Sequence, residues 1–164
     1  MRQRAAVRST LVVLAISIAT TVAVAQKGTI KGTFILNGVD AKLTNVRAVR
    51  TMLDDGKKKM PGYAVLLSAK PASGDIMPWR TGEPAERGSF IFMMLEANGA
   101  VWIAEMGHAN RKGSRFGVVT EIKKMAFEVK GDQLTGRYGS QGEETFSDDR
   151  YTADLTFDVP LENK

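Results

Sequence analysis

Cysteine is absent from these 164 residues, and histidine occurs once, at His108. Without cysteine there is no disulfide and no thiol nucleophile, so a packed core alone must hold the fold. Transition-metal sites usually draw on several His and Cys side chains, so no metal and no cofactor are expected. A lone histidine specifies no catalytic triad either, because a nucleophile placed by the fold would have to join it. Helical periodicity is also missing: no eleven-residue window after residue 25 carries it. That absence argues against a helical domain.

One long apolar run does occur, at the start. Arg2, Arg4 and Arg8 precede "LVVLAISIATTVAVA", which ends on the small residues Ala23, Val24 and Ala25. This is the layout of a secretory signal peptide over residues 1–25, with a run too short to favour a stable membrane span. The expected mature chain is then a single exported domain, residues 26–164, able to bury about two thirds of its unfolded surface. The cut also corrects the charge. The full chain has 23 Lys plus Arg against 18 Asp plus Glu; without the three signal arginines the balance is 20 against 18, or +2. An exported chain so near neutrality lacks the basic surface that nucleic-acid binding requires. An exported domain without disulfides points to a bacterial protein, periplasmic or secreted.

What is present is a series of turns between alternating segments. Asn37-Gly38, Asn98-Gly99 and Gly131-Asp132 read as two-residue hairpin turns. Such turns fix which residues share a face. In the first hairpin Ile30, Gly32, Phe34, Leu36, Val39, Ala41 and Leu43 fall together, opposite a polar set broken only by Ile35. In the third, Met125, Phe127, Val129, Leu134, Gly136 and Tyr138 do the same. The last segment, "RYTADLTFDV", places Tyr151, Ala153, Leu155, Phe157 and Val159 inward, and Pro160 is expected to close it. "YAVLLSA", residues 63–69, reads as a strand buried on both faces. About eight or nine short strands with turns between them predict an all-β antiparallel sandwich. The alternative is a partly closed β-barrel, lipocalin-like in outline.

The middle hairpin, residues 88–108, is the anomaly. Ile91, Met93, Leu95, Trp102, Ala104 and Met106 form a face without charge, which is assigned to the core. The other face carries Phe90, Phe92, Met94, Val101 and Ile103, with Glu96 and Glu105 at its margins. Left bare, it would be an apolar patch of a kind monomers rarely keep without use. Three covers are open. The loop of residues 70–87, with Ile76, Met77, Pro78 and Trp79, can fold over it. A protein partner, including a second copy in a homodimer, can dock there. The sheet can also curl so that this face lines a cavity for a small apolar ligand.

Catalytic chemistry finds little support. Glu96 and Glu105 share a face but lie about 14 Å apart along the strands. A glycosidase pair needs ~5–9.5 Å. Glu143, Glu144, Asp148 and Asp149 sit in one acidic segment without the spacing of a calcium loop, and read as solvated. Arg111, Lys112 and Arg115 form a small basic loop that can hold an anionic group. Trp79, if exposed, would stack on a sugar or peptide; buried, it would plug the sandwich end. The sequence therefore predicts no catalytic residue and a non-catalytic envelope domain that binds a protein or a small apolar or carbohydrate ligand. A hydrolase is the weakest alternative and would need Glu96, Glu105 or His108 to meet a second polar group across a cleft. The candidate contacts are Trp79, Met77, Phe90, Phe92, Met94, Ile103, Arg111 and Arg115.

Overall fold

A computed structural model describes residues 28–54, 56–98, 100–111, 116–118 and 124–162. The signal segment of residues 1–25 and the residues Gly99, Lys112 and Arg115 lie outside the described residues. The described residues form eleven strands: β1 Thr29–Leu36, β2 Val39–Asp40, β3 Asn45–Asp54, β4 Lys59–Ser68, β5 Phe90–Glu96, β6 Val101–Gly107, β7 Phe116–Val118, β8 Lys124–Lys130, β9 Gln133–Gly139, β10 Glu144–Phe146 and β11 Asp149–Glu162. The only helical pieces among them are a 3-10 turn, Met77–Thr81, and one short helix, α1, Pro84–Arg87.

The strands make two antiparallel layers. One runs β2-β1-β11-β9-β8 and the other β3-β4-β5-β6-β7, with β10 beside the first residues of β11. The long strand β11 joins them. Its Leu161 and Glu162 leave β9 and run parallel to Ala48 and Val49 of β3. The result is a strongly curled mixed sheet, a half-barrel, so the sandwich and partial-barrel expectations describe the same object from two sides. Among the described residues the parallel joint is the one departure from a purely antiparallel plan.

Pro160 does not end β11, as the sequence had suggested. It pairs with Gln133, and the strand continues to Glu162. The missing N–H falls where β11 changes partners, and the next amide, Leu161, donates to the Asp132 carbonyl at 2.7 Å. Proline is tolerated where the ladder is already interrupted.

The core between the layers follows from strand alternation. Tyr151, Ala153, Leu155, Phe157 and Val159 of β11 are all buried, with exposed Asp154, Thr156 and Asp158 between them. They meet Phe34 and Leu36 of β1, Leu134 and Tyr138 of β9, and Val65, Leu67, Ile91, Met93 and Leu95 of the second layer. Met125, Phe127 and Val129 pack at its edge, as the turn parity requires. Val39 departs from its expected face and stays exposed. The strand β2 stops one residue later, and Lys42 adopts φ 53, so the alternation does not run through it. Gly32, at φ +106, lets β1 close on β11: a Cβ there would lie 1.9 Å from the Asp154 carbonyl oxygen.

The middle hairpin keeps the expected register from Phe90↔Gly107 to Met94↔Ile103 and then slips, so that Leu95 faces Val101. This β-bulge corrects two assignments. Val101 packs against the inner core, while Trp102 packs on the outer side. A bulge places two residues opposite one and turns the strand over beyond it. The segment 139–150, read as a solvated loop, folds in part into the β10–β11 hairpin, in which the Tyr151 hydroxyl donates to Glu144 Oε2 at 2.7 Å.

Candidate functional site

The second apolar face of the middle hairpin is covered by the chain itself. Phe90, Phe92 and Met94 join Val49, Leu53, Ala64 and Leu66 of the neighbouring strands, and Ile76 and Trp79 close over them. Trp79 is 8% exposed. Its ring stands edge-on to Phe90 with centroids 5.6 Å apart, and the Arg87 guanidinium lies 5.3 Å from the ring on the loop side. The 3-10 turn that presents it has Pro78 as its second residue, within the first turn where a missing N–H costs nothing, and Trp79 N–H donates to the Ile76 carbonyl. Arg47 ties this cover down. Its guanidinium takes both carboxylate oxygens of Glu162 and donates to the carbonyls of Ala72 and Gly74, the latter at 2.7 Å. That pairing holds the Glu162 carboxyl below its ordinary pKa.

The sequence-derived contacts therefore divide. Trp79, Phe90, Phe92 and Met94 are buried in this second core, with Met77 and Ile103 half-buried at its margin. The first four are thus covered by the chain itself, while Met77 and Ile103 keep part of their surface exposed. Arg111 lies just beyond the end of β6, where its N–H donates to the His108 carbonyl, Nε donates to Asp149 Oδ2 at 2.6 Å and the guanidinium sits 5.9 Å from the Phe146 ring. Arg111 and Asn37 together keep the Asp149 carboxyl below its ordinary pKa.

His108 is not a surface residue. It is 1% exposed at the end of β6, edge-on to Phe34. Asn110 N–H donates to Nδ1 at 3.2 Å, so the ring proton sits on Nε2 and is given to the Val39 carbonyl at 3.1 Å. Burial holds its pKa below the ordinary value, against the pull of the Asp40 and Asp149 carboxylates. Both ring nitrogens are engaged, which leaves neither to act as a base. Glu96 accepts from Asn98, and Glu105 pairs with Arg80 at 3.6 Å. Among the described residues no group of three or more His, Cys, Asp or Glu side chains gathers in a metal-ligating cluster.

An open site does exist on the inner side of the β3–β4 hairpin. Inward positions alternate along β3 as Val46, Ala48, Arg50 and Met52, and along β4 as Leu67, Val65, Tyr63 and Pro61. The first two of each set are roofed by the other layer. Among the described residues β11 pairs with β3 only as far as Val49, so the hairpin projects beyond its partner. The projecting stretch lines a mostly apolar cleft of about 500 Å³, bounded by Arg50, Thr51, Met52, Pro61, Gly62 and Tyr63. Tyr63 forms its inner end, meeting Phe127 of β8 edge-on at 6.2 Å. Met52, at 54% exposed, is the most exposed large apolar side chain described. Arg50 stands at one wall, where Nη2 donates to Asp132 Oδ1 at 2.8 Å and to the Gly131 carbonyl at 3.1 Å.

These residues were missed from sequence because β3 carries no turn signal or motif. The available signal was weaker: one arginine on an inner face that is otherwise apolar, followed by a methionine and faced by proline and tyrosine. The chain matches no known family model, no curated protein and no solved structure, so its function has to be read from its own geometry.

Proposed function

We propose that this chain is an exported, non-catalytic bacterial envelope protein that holds a small, largely apolar molecule in the mouth of its half-barrel. One observation carries the reading. The second apolar face is sealed by the 70–87 loop, whereas the cleft under the β3–β4 hairpin is open, apolar and about 500 Å³. Small-molecule sites fall within ~300–1,000 Å³ and combine apolar walls with a few polar groups. Here Met52, Pro61 and Tyr63 supply the walls and Arg50 the polar group. Export is supported by the basic start and apolar run of residues 1–25.

Native mass spectrometry of the protein purified from its own host tests this. A bound molecule of small mass is expected, and it should be lost from a Met52→Lys variant. Nile red, a neutral apolar dye, should bind the wild type with increased emission, and the same variant should abolish this. A bare wild-type protein that binds the dye no better than Met52→Lys would refute the reading.

A further inference from the structure

We infer that the cleft selects amphiphiles that carry an acidic group, with the ligand's carboxylate taking the place of Asp132 on Arg50. This rests on the binding function proposed above and names its ligand class.

The chemistry begins with where the charge sits. Arg50 is the charged residue among the cleft's lining residues, on a strand face whose preceding inward residues, Val46 and Ala48, belong to the core. Its guanidinium is fixed from the side by the Gly131 carbonyl and capped by Asp132. The two side chains are 38% and 82% exposed, and a pair so open to water contributes little and exchanges readily. A planar guanidinium matches a carboxylate better than any other cation does. A ligand whose tail lies on Met52, Pro61 and Tyr63 would bring its acid group to this wall with the tail's apolar surface already buried. Asp132 cannot gain that second term.

The turn that bears Asp132 does not depend on its side chain. Its backbone carbonyl accepts the Leu161 amide at 2.7 Å, so the Gly131 carbonyl that orients Arg50 keeps its place when the carboxylate is exchanged. The tip of the β3–β4 hairpin carries Lys57, Lys58 and Lys59, of which Lys59 pairs with Asp54 at 3.8 Å. The mouth therefore has a weakly cationic rim, which favours the approach of an anion.

The test titrates the mature protein, labelled with ¹³C at the methionine methyls, with decanoate and with decanol. Both have the same tail and only one has the charge. The Met52 methyl resonance, assigned with Met52→Leu, reports occupancy. Decanoate should bind roughly five- to tenfold more tightly than decanol at low salt, the worth of one charge-assisted pair at a partly exposed site. Added salt should narrow the difference. Arg50→Gln should bring the two ligands level. Asp132→Asn, which removes the competing carboxylate, should strengthen decanoate binding alone. If Arg50→Gln does not fold, Asp132→Asn still decides. Equal binding of the two ligands to the wild type, or an Asp132→Asn variant that strengthens both alike, overturns the acid preference and leaves the cleft as a binding site. No movement of the Met52 methyl with either ligand removes the cleft reading as well.

Discussion

Replacing Trp79 by alanine tests whether the 70–87 loop is part of the core or merely lies on it. A buried tryptophan removes about 200 Å² of largely apolar surface from water. At ~25 cal/mol/Å² this corresponds to about 5 kcal/mol as an upper bound. Truncations of buried aromatics cost ~3–5 kcal/mol in practice. The lower end applies here, because Trp79 sits on a surface loop whose backbone can relax toward Phe90 and Phe92 once the ring is gone. The expected loss is therefore about 3 kcal/mol, or roughly 10 °C in Tm for a domain of this size. Urea unfolding followed by circular dichroism measures the first quantity and calorimetry the second. Hydrogen exchange adds a local readout. The outer side of β5 would lose its cover, so the amides of the 70–87 segment should exchange faster while those of β11 change only with global stability. Met77→Ala is the control, since Met77 is half-buried at the cluster's edge and should cost about 1 kcal/mol or less. A Trp79→Ala loss no larger than that of Met77→Ala would refute the claim that this loop completes a second core.

Three further outcomes follow from the packing. Gly32→Ala places a Cβ 1.9 Å from the Asp154 carbonyl oxygen at φ +106 and should cost over ~3 kcal/mol or prevent folding. Gly38→Ala meets nothing within 4 Å and should cost only ~1–2 kcal/mol for its left-handed backbone; paired thermal melts decide. Because burial lowers the folded-state pKa of His108, the unfolded chain takes up the proton first as pH falls. Stability should then decline as pH drops through about 6.5 and level off below the folded-state pKa. Urea midpoints at several pH values should show that decline in the wild type and lose it in His108→Gln. Arg47→Met keeps the aliphatic stem but drops the contacts to Glu162, Ala72 and Gly74, and should cost about 1–2 kcal/mol, with faster proteolysis in the 70–76 segment.

Much of the fold was legible in the sequence because its signals are local. Asn37-Gly38 and Gly131-Asp132 set two hairpins, and each turn dictated which of its neighbours face inward; the buried series on β11 then followed from alternation alone. Residues 63–69 carried enough apolar side chains on both faces to announce a strand covered twice. The cleft was not legible, because nothing along β3 marks how far the facing layer reaches. Among the described residues β3 is paired with β11 only as far as Val49, and that partner lies more than a hundred residues away in the chain.

Thus the sequence by itself determined that the chain forms β-hairpins, which side of most of them is apolar, and that one apolar face needed a cover. Tertiary structure alone decided that Ile76 and Trp79 provide that cover, that a bulge exchanges Val101 with Trp102, that β11 passes through Pro160 to pair with β3 in the other layer, and that one inner face is left open. The division has a physical cause. Turn geometry and strand alternation depend on residues adjacent in the chain, whereas covering a face and leaving a cleft depend on which distant segments reach each other when the sheet curls.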